Sequence, residues 1–379
     1  MTEKKFRLYV HIPFCKRKCA YCDFLSWPDS RDNQRHYVQA LCREIRSYQG
    51  RYPKKVSSLF VGGGTPSILD TELLEKVMDR LTDCFSFTEK AERSIEVNPG
   101  TVTLEKLRAY QKMGFNRISF GLQSTKNQEL KDLGRIHTYE EFLEGYAWAR
   151  RAGFENINVD LMSGIPRQTV ESWQQNLYQV MKLEPEHISA YSLIIEEGTP
   201  FAQRELCLPK EEEEREMYES TAGILGQQGY IQYEISNYAR PGKACAHNIG
   251  YWIRDDYLGL GLGAASLMDN QRWKNTDSIQ DYLEKTDSPE KIRQIRIERE
   301  TLSVPEQMEE TMFLGLRRME GVWRKDFQET FGMELEEIYG DAIRRLEHMG
   351  LLEDDGQRVF LTRRGISLSN QVFVEFMFG

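Results

Sequence analysis

Cys15, Cys19 and Cys22 stand within eight residues, in Cys15-Lys-Arg-Lys-Cys19-Ala-Tyr-Cys22. The spacings put three thiolates on one loop. A structural zinc ion takes four ligands, usually from two separated pairs. Here there is one triplet, so His11 or Asp23 would have to complete a zinc site. Iron–sulfur clusters favour thiolate ligands. Three thiolates on a four-iron cluster leave one iron open to a chelating small molecule, and this reading ranks above zinc. The basic neighbours Lys16, Arg17 and Lys18 are expected to favour the thiolate state.

The other cysteines carry less. Cys42 shares a helical stripe with Val38, Leu41 and Ile45, and Cys84 closes another helix after Leu81, so both read as small core residues. Cys207 lies between segments and points to nothing. Seven cysteines is an odd number, and no disulfide framework is expected in a chain of cytosolic character.

The loop must be held by what surrounds it. The first 195 residues alternate short β-rich runs with amphipathic stretches at helical spacing. Strands are predicted at 6–12, 57–62, 93–98, 117–121, 156–162 and 187–194, and helices at 32–49, 70–84, 103–114, 138–152 and 170–182. Leu73, Leu74, Val77, Met78 and Leu81 form one stripe. Thr138-Tyr-Glu-Glu141 is a capping box, and Gly114 and Gly153 stand just past helix ends. Such alternation implies parallel strands joined by right-handed crossovers. A doubly wound open sheet and a barrel both satisfy it. Six units suit a partial, open-sided (β/α)6 barrel. Function then belongs at the C-terminal strand ends, where the cysteine loop, Gly62-Gly-Gly-Thr65, Glu96, Gln123 and Asp160 collect.

Beyond about residue 205 the pattern weakens. Glu211–Glu214 opens a helix to about 228, its carboxylates favoured by the helix dipole. Residues 230–276 suggest a pair of strands with a loop. Gly259-Leu-Gly-Leu-Gly-Ala264 is explained as well by close backbone packing as by phosphate binding. Helices at 306–319, 323–331 and 335–349 and a hairpin at 351–361 suggest a small α+β, winged-helix-like unit. The division expected is 1–205, 206–300 and 301–379.

A hydrophobic share of 40% and a charged share of 29% belong to a globular protein, and no apolar run is long enough to span a bilayer. The first residues contain no apolar signal core, so a cytoplasmic address is expected. A net charge of −9, and a third C-terminal helix opening on carboxylates, speak against a nucleic-acid partner.

The cysteine motif after the first strand resembles the radical S-adenosylmethionine (SAM) superfamily. Tyr9-Val-His-Ile-Pro-Phe-Cys15, Gly62-Gly-Gly-Thr-Pro66, Ile95-Glu-Val-Asn-Pro99, Ser119-Phe-Gly-Leu-Gln123 and Asp160-Leu-Met-Ser-Gly-Ile-Pro166 are similar to the oxygen-independent coproporphyrinogen III oxidase group. The match runs in order over residues 7–200 and more loosely to the end. It implies that Cys15, Cys19 and Cys22 hold a 4Fe–4S cluster and that SAM chelates its fourth iron. Gly63, Gly64 and Thr65 would meet the methionine amino group and Glu96 would pair with it. Arg135 would bind the SAM carboxylate, and Gln123 and Asp160 the ribose hydroxyls. Tyr9 would lie beside the cluster, and the Tyr21 ring would touch the ligand. Read singly, Arg135 could be a surface ion pair, Asp160 a helix cap and Gly62–Gly64 a tight turn. Together they favour one pocket.

Two departures matter within that group. Phe24 stands where the oxidases carry a further cysteine, and the chain starts 14 residues before Cys15, without their N-terminal extension. Both resemble the HemW branch, the heme chaperones, and weaken the alternative of radical decarboxylation of coproporphyrinogen III. That branch has the word His247-Asn-Ile-Gly-Tyr-Trp252, which implies heme at His247, delivered to heme-accepting proteins such as respiratory cytochromes. A neutral imidazole suits heme iron, and in a helix His247 and Tyr251 share a face. The residue alone reads equally as a hydrogen-bonded structural histidine. Cys245 reads as incidental.

Overall fold

The computed structural model describes residues 5–28, 30–52 and 54–378, with Lys5 described by its backbone alone. Met1–Lys4, which begin the N-terminal stretch read above, lie outside the described residues.

The elements follow in chain order. β1 (Lys5–Ile12) runs into β2 (Phe14–Cys15) and β3 (Trp27–Pro28), a short parallel pair that closes the cysteine loop. Then come α1 (Arg31–Ser47), β4 (Lys55–Gly63), α2 (Thr71–Cys84), β5 (Phe87–Val97), α3 (Leu104–Lys112), β6 (Arg117–Gln123), α4 (Asn127–Asp132), α5 (Tyr139–Ala152), β7 (Ile157–Ser163), α6 (Val170–Met181) and β8 (His187–Ser192). β1, β4, β5, β6, β7 and β8 are neighbours in that order and all parallel. This is the expected six-unit β/α core. It stays open-sided: the large sheet has two ends.

The sheet is wider than the sequence suggested. After α7 (Glu211–Gln227), β9 (Ile231–Glu234) and β10 (Asn237–Ala239) extend it beyond β8. α8 (Ala246–Trp252) follows. β11 (Tyr257–Leu260), β12 (Ala265–Met268), β13 (Gln271–Asn275) and, past α9 (Ile279–Thr286), β14 (Arg296–Thr301) extend it beyond β1. The stretch read as a pair of strands with a loop thus supplies strands to both ends of a 12-stranded sheet. β14 reads Arg-Ile-Glu-Arg-Glu-Thr, an edge strand whose charges hide any apolar alternation.

The last unit comprises α10 (Val304–Gly315), β15 (Val322–Trp323), α11 (Arg324–Phe331), α12 (Leu335–His348), β16 (Leu352–Asp354) and β17 (Arg358–Leu361), followed by two short helices. Its three-stranded sheet and its own buried cluster around Phe327, Ile343 and Val359 give the helices-plus-hairpin unit that was expected.

Strand alternation sets the core. Phe6, Leu8, Val10 and Ile12 of β1 are fully buried with Val56, Leu59 and Val61 of β4 in one cluster. Leu73, Leu74, Val77, Met78 and Leu81 seat α2 on it. Each such burial contributes about 1.5–3 kcal/mol. Thr138 and Glu141 form the predicted capping box, and Gly153 ends α5 at φ 101°, a left-handed turn that only glycine adopts readily. Cys42 and Cys84 are partly buried against the same cluster.

The opposite strand faces are polar. They carry Arg7, Tyr9 and His11 on β1, Ser58 on β4, Glu92 and Glu96 on β5, Arg117, Ser119 and Gln123 on β6, Asn158 and Asp160 on β7, and His187, Ser189 and Tyr191 on β8. These faces form two layers: one at the C-terminal strand ends, one beneath it around α8.

Candidate active site and its supporting layer

A cavity of about 400 Å³ opens at the C-terminal strand ends, a size suited to a small ligand. It is lined by Cys15, Cys19, Cys22, Tyr21, Gly63, Gly64, Thr65, Glu96, Gln123, Arg135 and Asp160, so the fold gathers these predicted residues around one space. Tyr9 and His247 do not line it.

The cysteine loop leaves β1 and is tied down by backbone. Ala20 donates to the Leu133 carbonyl and accepts from Phe201. Thr65 Oγ1 lies 3.5 Å from Cys15 Sγ, and Arg135 Nη1 lies 3.5 Å from Cys19 Sγ. Burial pushes the Cys22 thiol up to about 11. Lys18 opposes that shift but does not overcome it, so for Cys22 the basic neighbours do not secure a thiolate as expected, and a metal would have to.

The donor set fits a cluster. Among the described residues no group of three His, Cys, Asp or Glu side chains is placed to hold a single metal ion. A cubane asks for something else, one thiolate for each of three irons. The backbone also comes close. A Cβ on Gly64 would lie 2.7 Å from the Phe14 carbonyl and 3.0 Å from Cys15 Sγ. A side chain there would crowd a sulfur that a cluster would need free.

Gly63 has φ 114°, and a Cβ there would meet the His11 ring at 2.7 Å. Its N–H donates to Glu96 Oε2 at 3.1 Å. Behind it, Tyr9 OH meets His11 Nδ1 at 2.9 Å, and His11 Nε2 meets the Leu25 carbonyl at 2.8 Å. Tyr9 therefore supports the glycine turn from below.

Glu96 and Asp160 face the cavity as a pair of buried carboxyls. Burial first, and Asp160 second, push Glu96 up to about 8. Burial also raises Asp160, against hydrogen bonds from Asn158 at 2.6 Å and Ser119 at 3.3 Å. Asp160 sits mid-strand in β7, so the helix-cap reading does not hold. Two buried carboxyls, eased only in part by the Arg117 charge, suit a ligand that brings positive charge.

Arg135 is not a surface ion pair. Its Nη2 donates to Asn98 Oδ1 at 2.8 Å and to the Gly121 carbonyl at 2.5 Å, while its buried Nε has no partner among the described residues. Gln123 accepts from Tyr191 OH at 2.6 Å and has φ 74°, unusual for a residue other than glycine. The reading of the sequence quoted the words that hold Asn98 and Ser119 but gave neither a role, and it missed Tyr191. Asn98 links Thr65 to Arg135, donating to Thr65 Oγ1 at 2.8 Å. Period-two alternation from Glu96, Gln123 and Ser189 was the available signal.

His247 lies in the lower layer, on the seven-residue α8. Only 1% of it is exposed. Nδ1 meets Ser58 Oγ at 2.9 Å and Nε2 meets Tyr251 OH at 3.1 Å, the shared face that helical spacing predicted. The ring stacks on Phe60 at 5.2 Å, and burial holds it neutral, its pKa lowered to about 3. Both ring nitrogens are occupied as they would be in a structural histidine. Cys245, fully buried, lies 3.4 Å from Glu92 Oε1.

Residues 9–177 match the radical SAM superfamily and residues 302–368 the HemN C-terminal domain. The heme chaperone HemW of Lactococcus lactis is 36% identical over 100% of this chain and 98% of its own length. That of Bacillus subtilis is 36% identical over 97% of this chain and 98% of its own. Coproporphyrinogen III oxidase from Escherichia coli, a radical SAM enzyme, superposes with a TM-score of 0.86 at 26% identity, covering 99% of this chain and 90% of that one.

Proposed function

The chain belongs to the HemW family of the radical SAM superfamily, and on that premise we propose that it is a heme chaperone. It binds a 4Fe–4S cluster and SAM in the cavity, and it binds heme for delivery to heme-dependent proteins such as respiratory cytochromes, in the cytoplasm. The observation that carries this reading is end-to-end similarity to proteins named heme chaperones, spanning the cavity, α8 and the C-terminal unit.

Cys15, Cys19 and Cys22 would hold the cluster. Bound together, cluster and SAM supply one-electron chemistry at the sulfonium. The remaining roles belong to the chain. Glu96, ionised, pairs with the SAM ammonium beside the Gly63–Thr65 turn, whose backbone the ligand can approach closely. Arg135, held by Asn98, faces the SAM carboxylate and steadies Cys19. Gln123 and Asp160 accept from ribose hydroxyls, with Tyr191 and Ser119 fixing their orientation. Tyr21 covers the ligand with its ring. His247 offers an imidazole to heme iron once its two hydrogen bonds are released.

The resemblance to coproporphyrinogen III oxidase keeps radical decarboxylation as the competing reading. Anaerobic purification, heme titration and a decarboxylation assay separate the two. Stoichiometric heme binding that His247→Ala abolishes, without protoporphyrinogen formation, is expected. Catalytic conversion of coproporphyrinogen III would replace the chaperone reading with the oxidase one.

A further inference from the structure

Heme ligation by His247, the reading on which this inference rests, cannot occur with α8 seated. The imidazole is buried, does not line the cavity and is bonded at both nitrogens. What holds α8 therefore decides when the ligand is available.

Two of the holds come from the strand lumen. The Glu92 carboxylate accepts from Ala246 N at 3.0 Å and His247 N at 3.1 Å. Arg7 donates to the Ala246 carbonyl at 2.6 Å and presses on Gly250, where a Cβ would fall 1.4 Å from Arg7 Nε. Asp255 fixes Arg7 through a 2.6 Å ion pair. These contacts belong to the same buried framework as the strands.

The third hold comes from the C-terminal unit. Immediately past α8, Arg254 adopts φ 59° and donates through Nε to Glu310 Oε2 of α10 at 2.8 Å. The two side chains are only 9% and 8% exposed. Glu310 also takes Arg272 of β13, so one carboxylate bridges two arginines. Arg317, just beyond α10, lies 4.5 Å over the Trp252 ring at the end of α8 and 3.8 Å from Glu234. A buried carboxylate shared by two guanidiniums is costly to break from one side, because the charges left behind are uncompensated. It gives way as a whole if α10 lifts away.

We infer that Glu310 is a positioning residue for heme ligation: through Arg254 it keeps α8 seated, so His247 is released only when α10 of the C-terminal unit lets go. The C-terminal unit is then a latch on the ligand helix. The conformational cost of opening lowers the apparent heme affinity of the latched protein.

The test uses the full chain and Glu310→Gln, which keeps the side chain's volume and removes its charge. Amide exchange over 246–253 should rise by roughly tenfold or more, while protection in β4 to β7 stays unchanged. The rate of heme binding should rise by a similar factor, and His247→Ala in the same background should abolish that gain. Should Glu310→Gln fail to fold, Arg317→Gln, which removes the cation over Trp252, is read in the same way with a smaller rise. Unchanged exchange over 246–253 would overturn the inference. So would protection lost equally across β4 to β7, or a heme-binding rate that does not follow local opening. Absence of heme binding by the unaltered chain would overturn the chaperone reading alone, and the exchange measurement would still judge the latch.

Discussion

The two polar layers of the lumen are built from the same strands to opposite ends. In the upper layer, the groups that face the cavity keep bonding capacity to spare. Among the described residues, the thiols of Cys15 and Cys19 each have one hydrogen bond, at 3.5 Å, Arg135 Nε has no partner, and Glu96 receives one backbone N–H. In the lower layer most groups around His247 are consumed, the Arg117 Nε excepted. His247 uses both nitrogens, Glu92 caps α8, and His187 bridges Asn158 at 2.6 Å and Tyr233 at 2.8 Å. Unspent bonding capacity beside a cavity marks a place for a ligand. Spent capacity marks a place that must be opened before it can bind anything.

The largest effect that would sharpen this contrast is at the cysteines. Cys19→Ala should abolish the cluster, taking reconstituted iron from about four per chain to near zero while the fold stays intact. Iron analysis and visible absorption read this, and retention of a full cluster would break the assignment.

Next comes Glu96. Glu96→Gln should weaken SAM binding by about 10- to 100-fold, the loss expected for a hydrogen bond between charges. With Glu96 pushed up to about 8 by burial, its carboxyl is mostly protonated at neutral pH. Binding a cation requires the ionised form. SAM affinity should therefore rise by about tenfold per pH unit below that value, with about one proton released per SAM bound. Calorimetry in buffers of different ionisation enthalpy tests this. A flat profile would show that Glu96 does not meet the ammonium.

In the lower layer, His247→Ala should cost about 1–3 kcal/mol of stability, because Ser58 and Tyr251 lose a buried partner. Denaturant unfolding measures it, and a neutral result would erase the difference between the layers. The smallest effect is expected at Phe24, 62% exposed at the cavity rim. Phe24→Ser should move stability by no more than about 0.5 kcal/mol and leave iron content unchanged.

The upper layer was legible in the sequence because its chemistry sits in short words. The cysteines at fixed spacing follow β1, Gly62–Thr65 closes β4, and Glu96 stands near the end of β5. The lower layer was illegible because its members are scattered. Arg7, Ser58, Glu92, Arg117 and His247 stand far apart in the sequence and form no shared word, and only sheet order brings them together. His247 was found through its word, but the word does not tell whether the imidazole is free. β9 to β14 were under-read for a different reason. They are short, and β14 is charged along its length, so neither carries the long alternating signal that identified β1 or β7.

One feature of the sheet bears on how the chain behaves in a crowded solution. Its two ends are protected by different means. β14 defends itself with charge, which discourages a second copy from adding a strand. β9 carries Ile231, 57% exposed, and is held instead by the C-terminal unit: Arg317 and Arg318 pair backbone with Ile235 and Glu234, and Met319 N bonds the Tyr233 carbonyl at 3.1 Å. Cutting the chain before α10 would leave β9 as a bare template. The shortened protein would then pair edge to edge through β9 alone, and because the charged β14 rim stays inert the contact would close as a dimer.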